Sequence, residues 1–216
     1  MHITNRALHN LLFIVLLAPA FNVACAGHTT KELPPACRTE CKSPYGMALG
    51  KSPRGVEAYS TCQSGCVIYD PNQWNGRYTG IKWQCVEYAR RWLLINTGTV
   101  FGDVDIAADL WDKIDHLTDA KTKRQIPVEA RLNGSILPPA VGDLLIYARE
   151  YKGTGHVAVV TGVDIKGGTV DVSEQNFNNQ LWTHDYARQI KLIKNGEKYW
   201  LLDGYLLGWK HVKKYR

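Results

Sequence analysis

No stretch of this 216-residue chain carries the roughly 18 uninterrupted apolar residues that a membrane-spanning helix requires. The longest apolar run, LLFIVLLAPAF from Leu11 to Phe21, is interrupted by Pro19 and followed by Asn22. Also missing is a dense run of Lys and Arg. The 26 basic residues are dispersed, and a net charge of +6 without a stripe argues against nucleic acid as a partner. Only KHVKKYR at the C-terminus is locally rich in charge, and residues 213–216 read as a solvated basic tail. There is no internal repeat and no linker dividing two domains, so the length suits one domain with a sizeable core. The C-x2-C spacing of common zinc modules does not occur either.

What is present begins with the grammar of an export signal. Arg6 supplies a positive n-region, Leu11 to Phe21 the apolar h-region, and Ala24-Cys25-Ala26 the small residues read by a signal peptidase. Residues 1–26 are therefore expected to be removed after Ala26, leaving a secreted or periplasmic protein. Lipidation at Cys25 competes with this reading, but Asn22 stands where a Leu is usual. No membrane span is expected in the mature chain.

Export permits disulfides. Cleavage after Ala26 leaves Cys37, Cys41, Cys62, Cys66 and Cys85. The first four form two C-x3-C pairs with three ways to make two bridges. Bridges between the pairs would tie an extended arm, residues 27–43, onto the domain that follows at 44–212. Each would be worth about 2–4 kcal/mol. A zinc site is the rival reading of those four. In either case Cys85 is left without a partner and stands out as a free thiol.

The spacing of Val86, Ala89, Trp92 and Leu93 predicts a helix from Trp83 or Gln84 to a stop at Asn96-Thr97-Gly98. Ile106, Leu110, Ile114 and Leu117 predict a second helix from about Asp105, with His116 toward solvent. Residues 119–141 read as loop. GVEAYS, DLLIYA, VAVVTGV, TVDVS and KYWLLDGYLLGW read as strands, separated by glycine-bearing turns. Helices first and an antiparallel sheet after them make an α+β architecture.

Cys85 falls in the first turn of the predicted helix, where unpaired N–H groups and the positive dipole end favour a thiolate. Among seven histidines, His156 has the best setting, at the mouth of the apolar strand in GTGHVAVV. With the hairpin turn centred near Gly167, His156, Glu174 and Asn176 lie at the same hairpin end, given a small register offset. A carboxylate there can hold the imidazole through Nδ1 and stabilise the imidazolium. Taken singly, a buried Cys is ordinarily an inert core residue and a strand-start His a structural one. The combination points to nucleophile, base and orienting acid.

KWQCVEYARRWLL, GHVAVVTGV and SEQN, in that order, resemble the CHAP superfamily of cysteine, histidine-dependent amidohydrolases and peptidases. Within it they resemble the amidase domains of glutathionylspermidine synthetase/amidase and trypanothione synthetase, as does PYGMALGKSPRGVEAYS. The resemblance implies a papain-like (NlpC/P60-type) fold, with Cys85 as nucleophile, His156 as base and Glu174 orienting it. It puts Gln84 and the Cys85 N–H near the oxyanion, and Asn176 and Arg90 beside substrate. No metal or cofactor is implied. The family's bifunctional members continue into an ATP-using synthetase, so this chain is expected to cleave without synthesising.

The expected reaction is hydrolysis of an amide by a monomer. Two substrates are compatible: a glutathione–polyamine conjugate or a peptidoglycan peptide. Asp103, Asp105, Asp109, Asp112 and Asp115 could meet a polyamine from one helix face, although such faces are ordinarily only solvated. No cell-wall-binding repeat accompanies the domain. A non-catalytic binding module on the same scaffold is the reading from another class.

Overall fold

The apolar runs around Leu144 and Val157 become adjacent strands in the middle of a nine-stranded antiparallel sheet. The computed structural model describes residues 32–212, and the residues from Leu33 form one compact unit. A short 3-10 turn at Pro35–Cys37 precedes β1 (Ala48–Lys51), β2 (Glu57–Tyr59), β3 (Pro71–Trp74) and β4 (Arg77–Ile81). Next come α1 (Cys85–Thr97), β5 (Thr99–Val100), a 3-10 turn at Ala107–Asp109 and the one-turn α2 (Leu110–Lys113). The remaining strands are β6 (His116–Asp119), β7 (Gln125–Leu132), β8 (Leu144–Tyr147), β9 (His156–Asp164), β10 (Thr169–Ser173), β11 (Arg188–Asn195), β12 (Lys198–Leu201) and β13 (Leu206–Val212). The expected signal peptide, the first residues of the arm and the basic tail lie outside the described residues. No described helix is long and apolar enough to cross a membrane.

The sheet runs β12-β11-β10-β9-β8-β13-β7-β6-β5, and its centre is buried on both faces. Leu144, Ile146, Val157 and Val159 pack with Tyr88, Ala89, Trp92 and Leu93 of α1. Their neighbours Leu145, Tyr147, Ala158 and Val160 pack with Val170, Val172, Ile190, Leu201 and Trp209 on the opposite face. Period-2 side chains with a core on each side explain why these strands read as continuous apolar runs.

The α+β expectation of several helices packed on a sheet needs correction. Strands dominate, and α1 is the one helix longer than a single turn among the described residues. Leu110, Ile114 and Leu117 are buried, as their spacing suggested, but only Leu110 is helical. Ile114 is extended and Leu117 sits in β6, opposite Ile126 of β7. Cross-strand pairing with β7 thus overrides the helical period. Strand β7 itself lies where a loop was expected, because Pro127 masks its alternation; here that proline falls opposite His116 on β6. Asn75-Gly76 forms the tip of the β3–β4 hairpin, with both residues in the left-handed region that a tight two-residue hairpin turn requires.

Two nested disulfides, Cys37–Cys66 and Cys41–Cys62, tie the arm to the segment after β2. They engage all four cysteines that a zinc site would have needed. Their closed loops span 29 and 21 residues. The Cys37→Ser/Cys66→Ser variant is expected to lose about 3 kcal/mol of stability, read as a lower denaturant midpoint at unchanged slope. A midpoint equal to wild type would show that this bridge adds nothing.

Candidate active site

The first residue of α1 is Cys85, preceded by Gln84 with extended backbone as N-cap. No side chain caps the helix start, so its N–H groups remain available to an anion. Cys85 is buried and is the free cysteine among the described residues. The groups that act on its sulfur are the His156 ring and the backbone N–H groups of Val157 and Val86.

His156 opens β9 directly after Gly155, whose positive φ of 71° suits glycine and whose Cβ would lie 2.5 Å from the Tyr147 carbonyl oxygen. Any side chain there would displace the strand start. Glu174 follows β10, the next strand of the sheet. A β-bulge sets their relation: Asp171 pairs with Gly162, but Val172 pairs with Val160, leaving Thr161 as an extra residue on β9. The bulge shifts the facing by one residue. Val160, Val163, Val170 and Val172 consequently share one core, and Glu174 falls on the same face as His156. This bulge supplies the offset that the hairpin argument needed.

Glu174 Oε2 lies 2.7 Å from Nε2 of His156. The ring therefore meets its carboxylate through Nε2 rather than the expected Nδ1, which leaves Nδ1 for the thiol. The residues missed in the sequence lie behind this pair. Arg188 donates from Nε to Glu174 Oε1 at 2.6 Å, and Tyr147 and Asp203 hold the same guanidinium. No local signal marks them, because three separate segments meet only in the folded sheet.

Burial opposes charge on Cys85, but the His156 charge and hydrogen bond, with the two backbone donors, bring its pKa below the ordinary thiol value. Burial likewise opposes charge on His156, yet Cys85 and Glu174 raise its pKa to about 9. Glu174 would be pushed up by burial, but Arg188 and then His156 hold it below the usual carboxylate range. The three directions agree on a thiolate–imidazolium pair backed by a carboxylate.

A groove of about 590 Å³ opens over Cys85 and His156, with Gln84, Asn176, Arg90 and Tyr151 in its lining. Gln84 is clamped: its Nε2 donates to the Cys66 carbonyl at 3.1 Å and its Oε1 accepts from Asn176 at 2.8 Å. Asn176 in turn accepts from Thr61 Oγ1 at 2.7 Å. Arg90 reaches the groove wall but directs its donors to the carbonyls of Thr79, Phe101 and Gly102, and it pairs with Asp103 at 3.0 Å. The acidic residues do not share one helix face. Asp103 and Asp105 line the groove, Asp109 pairs with Lys113, and Asp115 bonds His116. His184 is exposed beside Tyr186 and lies outside this cluster.

The thiol and imidazole titrate as a pair. Below the lowered Cys85 value the thiolate takes up a proton, and above about 9 the imidazolium loses one. Alkylation of Cys85 by iodoacetamide is expected to have its midpoint below the ordinary thiol value of about 8.5. Mass spectrometry of the Cys85 peptide across pH reads this out, and a midpoint at or above the ordinary value would contradict the ion pair.

Residues 74–176 match the CHAP domain. The chain is 34% identical over 193 residues to the bifunctional glutathionylspermidine synthetase/amidase of Escherichia coli (strain K12), an alignment covering 79% of this chain and 30% of that protein. It is 30% identical over 165 residues to the trypanothione synthetase of Crithidia fasciculata, covering 76% of this chain and 25% of that one. A glutathionylspermidine synthase of Crithidia fasciculata is 32% identical over 143 residues, with 63% and 20% covered. The chain thus spans less than a third of the length of these relatives. Cys85, His156 and Glu174 all fall inside residues 74–176, the segment over which this chain is similar to the CHAP domain.

Proposed function

We propose that this protein is an exported cysteine amidohydrolase that cleaves a C–N amide bond through a thioester at Cys85. The observation that carries the reading is the His156 ring, bonded to the Glu174 carboxylate and sharing the base of an open groove with the Cys85 thiol, which raises its pKa. The Cys85 thiolate attacks the amide carbonyl carbon, and the carbonyl oxygen takes the negative charge. The Cys85 backbone N–H and the second Nε2 hydrogen of Gln84 stabilise that oxyanion. His156 gives its proton to the amine nitrogen as the C–N bond breaks, leaving an acyl thioester. Water then attacks the thioester, His156 takes its proton, and the acid leaves with Cys85 restored. Glu174 orients the ring and stabilises its cation. These steps draw on no metal or cofactor.

The preferred substrate is a glutathionylspermidine-type amide, split into a glutathione-like acid and a polyamine. The amidase named in the Escherichia coli relative supports it, as does the acidic groove rim at Asp103 and Asp105. A peptidoglycan peptide is the second reading. The two disulfides favour it, since they suit an oxidising compartment outside the cytosol, where envelope peptides are the abundant amides.

Purified protein offered glutathionylspermidine and peptidoglycan side by side, with products identified by mass spectrometry, separates the two. Release of spermidine supports the first reading, and release of stem peptides alone replaces it with the second. Cys85→Ala should fold, keep both disulfides and lose at least about 1,000-fold in kcat on whichever amide is cleaved. Turnover surviving in that variant would sink the mechanism. A wild-type thiol no more reactive than a free cysteine, with no product from either amide, would favour a binding module.

A further inference from the structure

Behind Glu174, away from the groove, lies a group of polar side chains that the steps above do not use. Arg188, the first residue of β11, directs all three guanidinium nitrogens inward. Nε reaches Glu174 Oε1 at 2.6 Å, Nη1 reaches Asp203 Oδ2 at 2.5 Å, and Nη2 donates to the Tyr147 hydroxyl at 2.7 Å. Tyr147 donates in turn to Asp203 Oδ2 at 2.7 Å, which closes a ring of bonds around the guanidinium. The plane of Arg188 lies over Phe177 at 4.1 Å from its ring centroid, and that ring also contacts His156 at 5.3 Å. Tyr147 likewise packs on His156, at 5.5 Å. One pair of aromatic rings therefore touches both the base and the arginine. Arg188 and Asp203 lie beyond the residues matched to the CHAP domain.

We infer that Arg188 is a positioning residue for the cysteine chemistry: held by Tyr147 and Asp203, it fixes the Glu174 carboxylate so that Oε2 faces His156. The inference rests on the reading of Cys85, His156 and Glu174 given above. Its physical basis is that Glu174 is buried, so a carboxylate there needs a partner on each oxygen. His156 serves one and Arg188 the other. Without Arg188, the buried Glu174 carboxylate would keep His156 on one oxygen and lose the cation on the other, with Asp203 left close behind it. The cheapest relief is for Glu174 to take a proton from solvent. A neutral Glu174 no longer supports the imidazolium, and the thiolate at Cys85 loses its counter-ion. The other titratable groups facing this chain are Tyr147 on β8, Tyr151 and Lys152 on the loop after β8, and Asp203 before β13. Among these, Arg188 alone is a cation touching Glu174 from behind. Its planar fork meets three acceptors at fixed angles, which a lysine could not reproduce.

The test reads Cys85 directly and needs no substrate. Iodoacetamide alkylation of the Cys85 peptide is followed by mass spectrometry from about pH 5 to 9, bracketing the ordinary thiol value. In Arg188→Met the midpoint is expected to rise by ~1 pH unit or more, slowing alkylation at neutral pH roughly 10-fold. Arg188→Lys should recover part of the shift, because the charge returns without the fork. Tyr147→Phe keeps the ring and loses the hydroxyl, so it should shift the midpoint in the same direction by less. On an amide that wild type cleaves, kcat should fall with KM little changed. A folded Arg188→Met, judged by near-ultraviolet circular dichroism, with the wild-type alkylation profile would overturn the inference. If neither Arg188 variant folds, Tyr147→Phe decides, and a wild-type midpoint there overturns it too. Failure of the amidase reading shows elsewhere, as turnover surviving Cys85→Ala.

Discussion

Glu174 is buried with one carboxylate oxygen on His156 and the other on Arg188, and this doubly satisfied anion constrains much of the sheet around it. In the order β11-β10-β9-β8, Arg188 opens the first strand, Glu174 follows the second, His156 opens the third and Tyr147 ends the fourth. Because neighbouring strands are antiparallel, starts and ends alternate and all four side chains gather at one end of the sheet. The bulge at Thr161 then corrects the facing so that Glu174 and His156 point the same way. A chain of alternating charge in a low-dielectric setting is strong when complete and costly when broken.

Cys85 must come to this point from a different layer, and a second buried network holds it there. Glu87, in the first turn of α1, is fully enclosed and accepts from Asn72, Thr79, Arg91 and Gln175. Gln175 also bonds the Gln84 carbonyl, the Arg91 guanidinium and the Tyr59 N–H. The residue next to Glu174 thus anchors the residue next to Cys85. Alternating side chains of one short segment serve both: Glu174 faces the imidazole and Gln175 faces the helix. The disulfides add a third fixture, since the Cys66 carbonyl holds the Gln84 amide and Cys66 is bridged to the arm. The groove wall over Cys85 is therefore covalently tied to a segment outside the sheet.

Much of this site was legible because its members carry local signals. Cys85 was the odd thiol at a helix start, His156 followed a glycine at a strand mouth, and the turn at Gly167 brought Glu174 alongside. What was not legible depended on distant partners. Arg188 looks like any basic residue on a mixed strand until Asp203 and Tyr147 close around it. The choice of Nε2 over Nδ1 for the carboxylate depends on ring orientation, which the spacing of residues does not encode. Arg90 and Gln84 were expected near substrate, and both line the groove, but their donors largely serve the protein's own carbonyls.

The fold divides in the same way. Leu110, Ile114 and Leu117 determined burial by their character alone, and all three are in the core. Whether that burial came from a helix or a strand was settled by β7, whose pairing with β6 supplies backbone hydrogen bonds to an extended chain. The chain by itself determined which side chains must leave water and where turns and helix ends must fall, because apolar character and backbone freedom belong to single residues. Tertiary structure alone decided the bulge, the bridge pairing and the second cation on Glu174. Each of those depends on register between segments far apart in the chain, and register is a property of pairs.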